Sequence, residues 1–294
     1  MQLMLKLLAA VAVVGILVVA GLGYFAGRAV FAARDAQSTA NAALQSAGQH
    51  TLDYDNGLRI AVNAPALSTG STSSPDFAKM KQASDSVLAK VDQVRMGIRS
   101  DQSRLGAAGE QLQAAGRNPL VVPLRSGLNR SQRRVEDVRS ALDAADTALG
   151  FERDAVQATS AVADVMTDYV ALADKERTGD FAAGLAIFGT LDPKVQTALQ
   201  SVARPHIPAH EVTFVKGLAT LVADEKVLLQ AAQAGDANGV DAALATYDTD
   251  SAAVVNVDTD QIDAEEAAIL QPYRDRYESG MKAAGFNPVS STTT

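Results

Sequence analysis

Residues 77–116 read FAKMKQASDSVLAKVDQVRMGIRSDQSRLGAAGEQLQAAG, forty residues without a proline. Phe77, Met80, Ser84, Val87, Val91, Val94, Ile98, Asp101, Leu105, Ala108, Leu112 and Ala115 follow one another at spacings of three and four without a break. That spacing returns a side chain to the same helix face at every step, so the stretch predicts a long helix with a coiled-coil seam. Gly116-Arg117-Asn118-Pro119 ends it.

A second seam follows Pro123: Leu124, Leu128, Ser131, Val135, Val138, Leu142, Ala145, Leu149, Glu152, Val156, Thr159, Ala163, Met166 and Val170. Two such helices joined by a few residues predict an antiparallel hairpin. Gly150 is a place where the second helix would break or bend. Upstream, Ser74-Pro75-Asp76 reads as a helix start, with a hydroxyl cap, a first-turn proline and an acid near the positive end of the dipole.

Working outward toward the N-terminus, residues 67–74 (LSTGSTSS) read as a flexible linker and residues 53–57 (DYDNG) as a turn. Ala36, Ala40, Ala43, Leu44 and Ala47 predict a stalk helix reaching about Gly48. Before it, residues 7–27 carry no charge and are bounded by Lys6 and Arg28. A bilayer core of about 30 Å needs about 20 helical residues, so this run is long enough to span it.

Other readings of that segment fit less well. A cleaved signal peptide has a shorter apolar region and a small-residue cleavage site, and the late candidate Val30-Phe31-Ala32 lies beyond Arg28. Gly21-Leu22-Gly23 with Ala26 matches a dinucleotide-binding turn, but a polar helical pattern follows where a second strand belongs. Gly23 and Gly27 form a G-x-x-x-G pair, a spacing that lets two membrane helices pack closely. Charge balance across the span orients it weakly. The short basic head favours an uncleaved signal anchor with the large domain outside the cytoplasm.

Toward the C-terminus, Asp192-Pro193 reads as a helix start and Arg204-Pro205 as its stop, and Pro208 opens a helix to about Ala234. A last helical stretch runs from about Ala237 to Ala284, interrupted near Asn256. No alternation of period two persists, so the fold is expected to be all-α: a transmembrane helix followed by an elongated antiparallel bundle. The expected divisions are an anchor at 1–34, a stalk and turn at 35–68, the hairpin at 69–178, a shorter-helix bundle at 179–287 and a tail at 288–294.

Composition narrows the function. Aromatic residues make up 5% of the chain while 47% is hydrophobic, much of it alanine, which suits slim helices packed through small side chains. There is no cysteine, which removes disulfides, thiolate catalysis and cysteine-ligated metal. The net charge of −8 argues against nucleic acid as a partner. Charge is segregated: residues 236–278 hold eleven acids and two arginines, whereas residues 95–139 hold nine arginines and four acids. Such asymmetry can steer a partner or dock one half on the other.

Few residues suggest chemistry. His206 and His210 lie four apart with Glu211 adjacent, a metal-ligand spacing on a regular helix, but Pro205 and Pro208 bracket them and the H-E-x-x-H order is missing. Asp258, Asp260 and Asp263 suggest a calcium loop, yet Asp263 stands where that loop needs glycine. Both sets read more simply as a polar connection and a solvated helix face. Residues 181–191 (FAAGLAIFGTL) are uncharged but too short to span a bilayer as a helix, and burial at a corner between helices accounts for them. Asn129-Arg130-Ser131 matches a glycosylation acceptor.

No catalytic residue, cofactor site or metal site follows. The expectation is a non-enzymatic interaction or scaffold module in the cell membrane, with possible self-association through the seams or Gly23 and Gly27. The alternative is a sensory or solute-binding domain, because a span running into a helical bundle is similar in architecture to the extracytoplasmic half of bacterial chemoreceptors.

Overall fold

The computed structural model describes residues 2–62, 76–255 and 258–288, with side chains from Phe25 onward except 59–62, 253, 255 and 259. The described elements are helical throughout: α1 (Gln2–Gln49), α2 (Thr51–Val62), α3 (Phe77–Gly116), a 3-10 turn (Pro119–Leu124), α4 (Arg125–Arg177), α5 (Phe181–Val202), α6 (Ala209–Ala234), α7 (Ala237–Val255) and α8 (Thr259–Ala283). They form two compact units that do not follow chain order. One comprises Met1–Leu52, Gly97–Ala144 and Arg276–Thr294; the other comprises Asp53–Met96 and Ala145–Asp275.

In the first unit α1 packs through a stripe of small residues. Ala29, Ala33, Ala36, Ala40, Ala43, Leu44 and Ala47 are all buried, as are Ile98, Leu105, Ala108 and Leu112 of α3 and Leu128, Val135, Val138 and Leu142 of α4 in the same unit. The expected stalk is therefore a core helix, because alanine at spacings of three and four lets a neighbouring helix approach closely. The end of α8 and the residue after it close this unit with Tyr277, Met281 and Ala284. Gly280 sits so near α4 that a Cβ there would lie 2.8 Å from the Asp137 carbonyl oxygen and 2.9 Å from the Ala141 Cβ.

The second unit builds its core from α4, α5 and α6, with Val162, Val165, Leu172, Phe188, Leu191, Val215, Leu218, Val222 and Leu229 buried together. Ion pairs tie α3 to α4 along its edge: Arg95 to Asp146 and Arg153 to Asp92, each at 2.8 Å. Most of these groups are partly exposed, so they add register more than stability.

The seams are confirmed with three differences. Within α3 every seam position is buried or half-buried. Helix α4 buries Ala141, Ala144, Ala148, Ala158, Val162 and Val165 as well as its seam, because more than one helix packs on it, while Val170 is 49% exposed. Gly150 neither breaks nor bends α4 into separate helices; the Arg95 guanidinium lies against it, 3.5 Å from where a Cβ would stand.

Two local expectations are corrected. Residues 53–57 are helical within α2, since Tyr54 and Leu58, one turn apart, are both buried and tertiary packing outweighs the turn preference of Asp-Asn-Gly. Asp192-Pro193 does not start a helix; α5 runs from Phe181 through Pro193, capped by the Asp180 carboxylate on the Ala183 N–H. An interior proline costs about 3 kcal/mol. Burial of Phe188, Leu191 and Val195 on the same helix, at roughly 1.5–3 kcal/mol for each large side chain, offsets it.

The linker at 67–74 lies outside the described residues. Asp76 itself caps α3, accepting from the Lys79 N–H at 3.0 Å. Gly235 ends α6 with left-handed φ of 69°, and Asp236 then accepts from the Gly239 N–H. Among the described residues no helix is long and apolar enough to cross a membrane. The expected span at residues 7–27 falls, up to Tyr24, on side chains outside that set; its backbone is helical.

Packing this close predicts opposite outcomes for two glycines. Gly280→Ala should lower the urea unfolding free energy by about 1–3 kcal/mol through overpacking, whereas Gly189→Ala, with open space around it, should raise it by about 0.5–1 kcal/mol. Equal effects at both positions would contradict the α8–α4 contact.

Candidate functional site

The strongest concentration of unusual chemistry lies in the second unit, where α4, α8 and the start of α6 meet. Helix α4 contributes Glu152, a seam residue whose side chain is fully buried. Helix α8 contributes Arg274, which donates to Glu152 Oε1 at 3.0 Å. The other oxygen, Oε2, is buried with no hydrogen-bond donor. Glu266 stands close enough for a side-chain hydrogen bond to Glu152, and Glu211 of α6 is buried within the field of Glu266.

Glu152 and Glu266 therefore share one guanidinium, and Glu211 adds a third carboxyl beside Glu266. Burial, and then the neighbouring Glu266, push Glu152 strongly up; burial likewise raises Glu266. The same two causes, burial first, lift Glu211 to about 8. Fully ionised, the group would hold two uncompensated negative charges away from water, at a cost of several kcal/mol. The cluster lowers that cost by keeping protons at neutral pH.

Beside it, the connection between α5 and α6 is held by local contacts. His206 adopts a left-handed backbone, φ 73°, and its ring stacks on Phe151 with centroids 3.9 Å apart. Phe151 in turn meets Tyr273 edge-on at 5.3 Å. Arg204 pairs with Asp154 and donates to Gln157 at 2.7 Å. His210 opens α6: its backbone N–H donates to Glu265 Oε2 at 3.1 Å and its ring Nδ1 lies 2.6 Å from Oε1. These contacts, the backbone N–H first, hold the Glu265 carboxyl below the usual range.

The histidines do not act as a pair. His206 precedes the helix and faces an aromatic ring, whereas His210 serves a carboxylate at the helix N-terminus. Glu211, next in sequence, points into the buried cluster instead. Asp258 caps α8 through the Gln261 N–H at 3.2 Å, and Asp260 and Asp263 are exposed. Among the described residues no group of three or more histidines and acids is arranged to hold a metal ion.

A second constellation occupies the first unit. Asp101, another buried seam residue, accepts from Ser46 Oγ at 3.0 Å and lies 2.8 Å from His50 Nδ1, while Arg104 donates to Ser46 Oγ at 2.9 Å. The residue types are those of an acyl-transfer triad, but there the histidine must bridge serine and aspartate. Here the aspartate bridges them, so the Ser46 hydroxyl is committed to a carboxylate and the group acts as a polar clip between α1 and α3.

Sequence reasoning places Asp101 and Glu152 in the seams without singling them out, and misses His50, Arg274 and Glu266. The available signal is a charged residue recurring at a seam position: a buried charge must bring its own partner. No protein family model matches the chain, and no curated protein or solved structure shows significant similarity to it.

Removing the cation should unbalance the cluster. Arg274→Ala is expected to destabilise the protein by about 3–5 kcal/mol at pH 8, with a smaller loss at pH 5, where the glutamates are protonated. Because folding raises the Glu211 carboxyl from 4.5 to about 8, its contribution is present below the lower value and lost as pH rises through the upper one. Glu211→Gln should therefore gain stability over the natural chain on going from pH 5 to pH 8, by on the order of a few kcal/mol; parallel pH profiles would refute the assignment.

Proposed function

We propose that this chain is a single-pass membrane protein whose helical part lies outside the cytoplasm and serves as a non-enzymatic interaction module. The supporting observation is the continuity of α1. The uncharged residues 7–27 belong to the same unbroken helix, Gln2–Gln49, that buries Ala29 through Ala47 in the first unit. An anchor joined to a core without a hinge holds the domain at a fixed height and angle on the bilayer, which suits presentation of a surface to a partner.

The seams are occupied within the chain, so partner contacts fall elsewhere. Met96, Val170, Val227 and Leu244, between 44% and 65% exposed, are candidate positions on the second unit. Self-association through Gly23 and Gly27 remains part of the proposal: Gly27 has open space around it, and Gly23 lies outside the described side chains.

A second reading, a sensory or solute-binding domain, draws on the Glu152–Glu211–Glu266 cluster, where an excess of buried carboxyl groups over cations suits a cationic solute. Under that reading a small cation or amine would raise the unfolding temperature and Glu211→Gln would abolish the rise.

The anchor and its orientation are tested together. After expression in a bacterial host, the chain should stay in the membrane through alkaline carbonate washing and be digested by protease added to spheroplasts. Release by carbonate would overturn the anchor; protection in intact spheroplasts with digestion after lysis would overturn the orientation.

A further inference from the structure

The loop at the closed end of the α3–α4 hairpin has the sequence Pro119-Leu-Val-Val-Pro-Leu124 and folds as a 3-10 turn. Its side chains divide sharply: Val121 is fully buried, while Leu120 and Val122 are 39% and 60% exposed. A hairpin tip in water ordinarily carries polar residues. This one displays two branched aliphatic side chains between Arg117 and Arg125, both exposed.

The register of the first unit fixes where that tip lies. Asp101 of α3 meets Ser46 and His50 of α1. Further along α3, Gln111, Ala114, Ala115 and Asn118 face Ala29, Ala32, Asp35 and Ala36 across an open cleft of about 360 Å³. The two helices are antiparallel, so each step toward the tip is a step toward the start of α1. The 3-10 turn itself packs on α1. Ala29 and Ala32 are two and five residues past Gly27, about 3 and 8 Å along a helix rising 1.5 Å per residue. The polar layer between the hydrocarbon core and water is of that thickness.

We infer that the tip Pro119–Leu124 is a second membrane contact, with Leu120 and Val122 inserted among lipid headgroups beside the anchor helix and Arg117 and Arg125 against lipid phosphates. The inference rests on the proposed anchor at residues 7–27. Phe31, 73% exposed on α1 at the same level, belongs to the contact as an interfacial aromatic. The backbone is suited to that layer: Pro119 and Pro123 have no N–H, and the N–H groups of Leu120 and Val121 are satisfied by the Asn118 side chain and carbonyl. Arginines flanking an apolar insertion favour anionic lipid, although the exposed Asp35 sits in the neighbouring cleft.

The chain contains no tryptophan, so one introduced at the tip is a clean reporter. The full chain carrying Val122→Trp is reconstituted in phosphatidylcholine–phosphatidylglycerol vesicles, with and without lipids brominated high on the acyl chain. Met96→Trp, at an exposed position of the second unit, is the control. Insertion shifts the emission of the Val122→Trp chain to the blue and lets bromolipid quench it, with the Met96→Trp signal unchanged. Carbonate extraction of the same vesicles separates the two ideas. Retention with a water-like, unquenched Val122→Trp signal overturns the tip contact and leaves the anchor. Release with quenching overturns the anchor and keeps the tip as a peripheral membrane contact; release without quenching overturns both.

Discussion

Close helix approach through small side chains is the constraint from which the structure follows. A helix whose inward face is alanine and glycine can bring its backbone nearer a neighbour than one faced with leucine, but it gains less apolar burial per residue. The chain compensates with length. Helix α4 runs 53 residues and carries buried side chains into both units, and among its described side chains α1 contributes seven buried residues of which six are alanine. Gly280 shows the limit of the strategy, where the neighbouring backbone leaves no room even for a methyl group.

Such thin cores leave polar groups closer to the centre than thick ones would. Asp101 and Glu152 occupy seam positions and are nearly sealed from water, and each has drawn a set of partners from helices distant in sequence. At Asp101 the partners neutralise and satisfy the carboxylate: a hydroxyl, an imidazole and a nearby guanidinium. At Glu152 a single arginine serves two carboxyls, with Glu211 a third beside Glu266, so the group retains protons. One is a tie between helices. The other stores a protonation equilibrium inside the fold, which is the property a sensor would exploit and a plain scaffold would not require.

A related group links α4, α6 and α7, where the Tyr169 hydroxyl donates to Glu225 at 3.2 Å and lies 2.7 Å from that of Tyr247. Burial, reinforced by Glu225, lifts the nearby Glu176 to about 8. Burial and then Asp250 raise Asp224 as well, so the second unit carries three separate groups of raised carboxyls.

The helices were legible in the chain alone, because spacings of three and four and breakers such as Pro119 and Pro205 act over one or two turns. So was the hairpin, since a short connection leaves two long seams little alternative. Which faces are used was settled only in three dimensions. Residues 53–57 became helix because Tyr54 and Leu58 found a core, Pro193 stayed inside α5 because its neighbours are buried, and the alanine stalk became a core helix. His206 and His210 were separated by a left-handed turn no periodicity could show. Glu211 gained its significance from Glu152 and Glu266, which lie far away in sequence. Local spacing encodes secondary structure, whereas the environment of a charge depends on partners that the chain brings together only by folding.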